Sequence, residues 1–123
     1  MTNNLAHATD FLTMVIAGRI ADAYQKYVDM QGKHHNVYFP AGFATLQKGM
    51  EDSQAAGSHK QFTIKQTFVD GDRVAVHSHL IPFVGGPEMT VVHMFRFENG
   101  NIVEFWDVGQ MIPEEMVNGD GVF

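Results

Sequence analysis

Three histidines sit where apolar strand residues belong. The stretch "VAVHSHL", Val74 to Leu80, is β-branched and alternating, and His77 and His79, two residues apart, share one face. "TVVHMFRF" places His93 in a second apolar strand. Imidazole is the side chain whose ordinary pKa lies nearest neutrality, so histidines grouped on strand interiors suit general acid–base chemistry. Three imidazoles with a carboxylate would also suit a metal such as Zn, Ni, Mn or Fe.

The chain that must position them has 123 residues, enough for one domain with a core, 1–123, ending in a loose tail over 111–123. It is 45% hydrophobic and 18% charged, a globular composition rather than a disordered one. The net charge is −6 with no basic cluster, which argues against nucleic acid and anionic membrane surfaces as partners. There are no cysteines, so neither disulfides nor thiolate chemistry enter, and a reducing cytoplasm fits. "FLTMVIAG", Phe11 to Gly18, is too short to span a bilayer, and no Lys or Arg precedes it as in a signal peptide. It reads as part of a helix.

Apolar residues at Leu5, Ala8, Leu12 and Val15 have helical spacing, with Asn3 or Asn4 as cap and Gly18 as break. A second helix carries Ile20, Ala23, Tyr24, Tyr27 and Val28 on one side and ends at Gly32. "HHNVYF", His34 to Phe39, reads as a brief strand. Pro40 then opens a third helix with Phe43, Leu46, Gln47 and Met50 inward, closed by Gly57. From Gln61 the period changes to two. Turns at "DGD", "GGPE" and "ENGN" divide four long strands into an antiparallel meander. The expected fold is α+β: a cone-shaped curved antiparallel sheet packed against three N-terminal helices and enclosing a pocket.

"FRFENGNIVEFWDVGQ", the "HHN" before the third helix and "DRVAVHSHL" together resemble the SnoaL-like polyketide cyclase family of the nuclear-transport-factor-two-like (ketosteroid isomerase-like) superfamily. The resemblance covers essentially the whole chain. It implies that Asp107 is a pocket carboxylate, as in limonene epoxide hydrolase, and by alternation that Phe105 and Val103 face the same cavity. His93 falls where ketosteroid isomerase holds a protonated Asp against an enolate oxygen. Arg73 and Ala75 fall where the epoxide hydrolase carries an Arg and an Asp. Ala75 cannot replace that Asp, which speaks against the same hydrolytic mechanism. His77 and His79 share the parity of Ala75 and are expected to face the pocket with it. His35 takes the inward slot and His34 the outer one. Trp106 packs on the outer face. His7 and His59 are expected in solvent.

The resulting expectation is a small-molecule enzyme doing cofactor-independent acid–base chemistry, as isomerase, dehydratase or aldol-type cyclase, on an apolar carbonyl compound. His77, His93 and Asp107 are the candidate catalytic residues. His35, Asn36, His79, Phe105 and Val103 are candidate substrate contacts. No cofactor and no metal are called for. Two alternatives stay open. The same cone could be a non-catalytic ligand-binding module. Or His77, His79 and His93 could hold a metal, since "HSH", Glu88 and His93 superficially resemble the cupin pattern, although a cupin needs about eight strands. Homodimerisation through the outer sheet face is expected in each case, with Val74, Val76, Ser78, Val92, Met94 and Arg96 pointing outward.

Overall fold

The computed structural model describes residues 3–56 and 60–123. Three helices, α1 (Asn4–Ile16), α2 (Ile20–Tyr27) and α3 (Phe43–Ala55), accompany five strands, β1 (Val28–His34), β2 (Gln61–Asp70), β3 (Arg73–Ile81), β4 (Met89–Glu98) and β5 (Asn101–Met111). The strands form one sheet in the order β1-β5-β4-β3-β2. β2 to β5 are the antiparallel meander read from the turns, and β1 joins its edge parallel to β5. The architecture is α+β, with a mixed and unclosed sheet.

Local chemistry accounts for most boundaries. The Asn3 side chain accepts from the Ala6 N–H and caps α1. Gly18, at φ +85°, turns the chain between α1 and α2, a conformation glycine adopts without strain. Phe11, Leu12 and Val15 of α1, Ala23 and Tyr24 of α2, and Phe43 and Leu46 of α3 bury against Val74, Val76, Phe95 and Phe105 of the sheet. "FLTMVIAG" is therefore core helix in its first six residues.

Two elements differ from the sequence reading. Extended backbone begins at Val28, so α2 is shorter and β1 spans Val28–His34 rather than 34–39. Gly32 is needed there for packing, since a Cβ on it would lie 2.3 Å from the Val103 carbonyl oxygen. "HNVYF" is a loop because Asn36 closes an Asx turn, its Oδ1 accepting from the Tyr38 N–H at 2.9 Å. The third helix then starts at Phe43, not Pro40, with Gly42 at its N-cap. Gly57 and His59 lie outside the described residues.

Register settles which face each strand residue occupies. Val74, Val76 and Ser78 pair with Phe95, His93 and Val91, and all but His93 are buried under the helices or beside them. His77 and His79 pair with Val92 and Thr90 on the opposite, outer face. The expected parity of β3 is thus reversed, while Val92, Met94 and Arg96 do point outward. The reason is that β3 is apolar at both parities, and only its pairing fixes the choice.

Candidate functional site

His93 and Asp107 are directly opposed on β4 and β5 and share the inner face. They border a cleft of about 220 Å³ with Asn36, Tyr38, Leu80 and Met89. His93 stacks on Phe105 at 5.7 Å between ring centroids and lies 6.0 Å from the Phe62 ring. Its Nδ1 is sealed from solvent and lacks a hydrogen-bond partner among the described residues. Burial lowers the His93 pKa to about 4, so the imidazole is neutral at pH 7. An unpaired buried polar atom is costly, of the order of 1–3 kcal/mol, and therefore needs a reason.

Asp107 is only half-buried in character but still feels desolvation, which raises its pKa. The Asn36 Nδ2–H donates to Asp107 Oδ2 at 2.8 Å and opposes that rise, as does the nearby His34. Tyr24 of α2 is buried close by, its hydroxyl donating to Met50 Sδ at 3.2 Å. Burial and then the charges of Asp107 and Glu51 push the phenol pKa up. None of the described residues bordering the cleft is a Lys or Arg.

The remaining expected site residues lie elsewhere. His77 is held on the outer face between Gln66 Nε2 at 2.9 Å and Thr90 Oγ1 at 2.6 Å. His79 pairs with Glu88 at 3.1 Å on that same face. Neither can reach His93, so the three imidazoles do not converge on one ion. His34 and His35 exchange the expected roles. His34 is buried, while His35 stacks on Trp106 at 5.1 Å on the outer face and meets Glu104 Oε2 at 2.6 Å. Trp106 is on the expected side. Phe105 faces inward as a floor beneath His93. Val103 is the extra residue of a bulge where Arg96 pairs with Glu104 but Phe97 with Ile102, so the alternation that placed it in the cavity is broken. It borders a shallow recess with Gly32 and Lys33. His7 is half-buried rather than solvated, its Nδ1 3.0 Å from the Gly100 carbonyl.

Sequence reasoning missed two features. One is Glu104, whose pKa is lowered by the His35 hydrogen bond and, after an opposing burial effect, by Arg96. The other is His34, which the sequence reading set on the outside and the structure buries. A second recess, about 570 Å³, is larger than the cleft at His93. It lies on the outer face among Phe68, Ala75, Met94 and Trp106, with Arg73 and Asp70 at its rim.

With the fold and cleft in view, the class of protein is clear. The SnoaL-like domain model matches residues 8–105, and the chain belongs to that family. An uncharacterised cystatin-fold protein from Novosphingobium aromaticivorans is 20% identical, covering 88% of this chain and 98% of its own at a TM-score of 0.72. IdmH from Streptomyces antibioticus, a proposed polyketide cyclase, is 20% identical over 87% of this chain and 91% of its own, TM-score 0.66. An epoxide hydrolase of M. tuberculosis similar to limonene epoxide hydrolase is 18% identical over 85% and 80%, TM-score 0.68. At these identities the likeness is one of fold. No curated protein matches the chain in sequence. No helix among the described residues is long and apolar enough to cross a membrane.

Proposed function

We propose that the cleft performs cofactor-independent proton transfer on a small, largely apolar carbonyl compound. The observation that carries this reading is that His93 and Asp107, an imidazole and a carboxylate directly opposed on neighbouring strands, border the same cleft. Asp107, a stronger base than an exposed carboxylate, takes a proton from the carbon next to the carbonyl. His93, neutral, donates a hydrogen bond to the oxygen from Nε2–H, the ring nitrogen that is not sealed off, as charge gathers there. The enolate then takes that proton back from Asp107 at another carbon, expels a β-hydroxyl that leaves as water with it, or attacks a second carbonyl whose oxygen takes it up. Isomerisation, dehydration and ring closure are the three outcomes. The relatives similar to this chain include a proposed cyclase and an epoxide hydrolase, which supports small-molecule chemistry on this fold without selecting among these reactions.

Deuterium uptake from D₂O into a panel of small enolisable ketones and aldehydes, followed by NMR, tests this directly. The native chain should accelerate exchange of at least one compound, and Asp107→Asn should slow it by roughly 100-fold or more. Absence of acceleration, or acceleration indifferent to Asp107→Asn and His93→Leu, defeats the proposal. Binding without exchange would favour a ligand-binding module.

We also propose that the outer face pairs with a second copy. Phe68, 59% exposed, borders an apolar recess there, Val108, 60% exposed, stands on the same face opposite Val92, and the oppositely charged Asp70 and Arg73 at the rim of the recess are self-complementary under a two-fold axis. Light scattering on native chain and Met94→Asp reads this: dimer for the first, monomer for the second.

A further inference from the structure

Asn36 was expected to touch substrate, yet every polar group of its side chain is already engaged. Its Oδ1 accepts from the Tyr38 N–H at 2.9 Å, and its Nδ2 donates to Asp107 Oδ2 at 2.8 Å. The amide cannot be turned over, because the Tyr38 N–H can only donate and so must face oxygen. One side chain thereby ties the loop at the mouth of the cleft to the carboxylate inside it.

The loop is otherwise held at its ends. His34 spans it: its Nδ1 accepts from the Asn36 N–H at 3.1 Å, which leaves Nε2–H to donate to the Pro40 carbonyl at 2.9 Å. Thr45 Oγ1 donates to that same carbonyl. Between these anchors Val37 and Tyr38 stand 86% exposed at the border of the cleft, apolar and aromatic groups with little to cover. A short segment pinned at both ends, whose Val37 and Tyr38 side chains are free, is suited to folding these onto a ligand.

The geometry points to Asn36 as a positioning residue that couples Asp107 to Val37 and Tyr38, so that these two residues move when Asp107 gains a proton or is engaged by a ligand. A carboxylate accepts a stronger, charge-assisted hydrogen bond than the neutral acid. Losing that charge loosens the Asn36 amide, and the Asx turn carries the change to Tyr38. The inference rests on the proton-transfer reading only in treating this cleft as the site. Its test needs no substrate, so a cleft that catalyses nothing can still pass or fail it.

The groups facing Asp107 are Asn36 from the loop, His34 from β1, His93 from β4 and Tyr24 from α2. The experiment is an NMR pH titration of the native chain that follows the Asp107 carboxyl carbon, the Asn36 side-chain amide and the Tyr38 backbone amide. The two amides should inflect at the Asp107 midpoint. In Asn36→Ala the Tyr38 inflection should vanish, and the Asp107 midpoint should rise by about half to one pH unit as its donor is lost. Asp107→Asn keeps an acceptor for Asn36 and removes the charge, so there the Tyr38 inflection should vanish too. This variant also separates any inflection due to His34, and it decides the matter should Asn36→Ala fail to fold. A Tyr38 amide that ignores the Asp107 midpoint in the native chain, or keeps its inflection in the Asp107→Asn chain, overturns the coupling.

Discussion

His77 and His93 sit one rung apart on neighbouring strands, yet their side chains leave the sheet on opposite faces: His77 pairs with Val92, and His93 with Val76. A one-residue difference in position is enough, because side chains alternate along a strand. The cleft therefore receives one strand imidazole, and the two of "HSH" belong to the outer surface with Gln66, Thr90 and Glu88.

It follows that His77 and His79 are dispensable for whatever the cleft binds. Replacing both by Gln should change ligand affinity or proton exchange by less than about twofold, whereas His93→Leu should reduce either by at least tenfold, the effect of about 1.4 kcal/mol. Calorimetry or the deuterium-uptake assay distinguishes the two. A large loss in the His77→Gln, His79→Gln chain would return chemistry to the outer face.

His93→Leu should at the same time stabilise the fold. It removes a buried Nδ1 with no partner among the described residues and leaves an apolar side chain against Phe62 and Phe105. The gain at pH 7 is expected to be about 1 kcal/mol. Urea unfolding measures it. Unchanged or lower stability would mean that the nitrogen is satisfied in solution, for example by water.

The same residue gives a pH signature. Its folded pKa of about 4 lies below the ordinary 6.5, so between those values the unfolded chain binds more protons than the folded one. Stability from this group is intact above pH 6.5 and falls as pH drops through 4, by about 3 kcal/mol in all. Asp107 acts in the opposite sense: its raised pKa makes protonation favour the folded state as pH falls through the folded value. Urea unfolding of native and His93→Leu chains from pH 7.5 to 4.5 isolates the histidine. The variant's advantage should widen with acid below 6.5, and a constant gap would contradict the burial of the imidazole.

These contrasts also show what sequence could and could not reveal. The helix of Leu5, Ala8, Leu12 and Val15 and the hairpin turn of Gly71 and Asp72 were legible because each is set by neighbours in the chain. The face of β3 was not, since Val74, Val76 and Ala75 offer apolar residues at both parities. The choice between His34 and His35 depended on where β1 begins, and the shift of that strand exchanged them. Val103 was misplaced because a bulge leaves no mark in an alternating pattern. The Asn36–Asp107 bond joins residues 71 positions apart, a pairing no local signal carries.

The outer face carries a second, separable prediction. The side chain of Glu104 is 12% exposed, ion-paired through Oε1 with Arg96 Nε at 3.0 Å and accepting a hydrogen bond from His35 Nε2 through Oε2. Its lowered pKa means that it stabilises the fold above the ordinary carboxylate pKa and that this is lost as pH falls through the folded value. Glu104→Gln keeps the shape but removes the carboxylate charge that faces Arg96 and accepts from His35, at a cost of about 1–3 kcal/mol at pH 7. Since His35 stacks on Trp106, the only tryptophan, its release should also shift the fluorescence of that ring. The cleft is on the other face, so ligand binding there should not change. A Glu104→Gln chain that is as stable as the native one, with unaltered tryptophan emission, would show that the ion pairs contribute nothing net. If its ligand affinity fell instead, the two faces of the sheet would have to be coupled through β5.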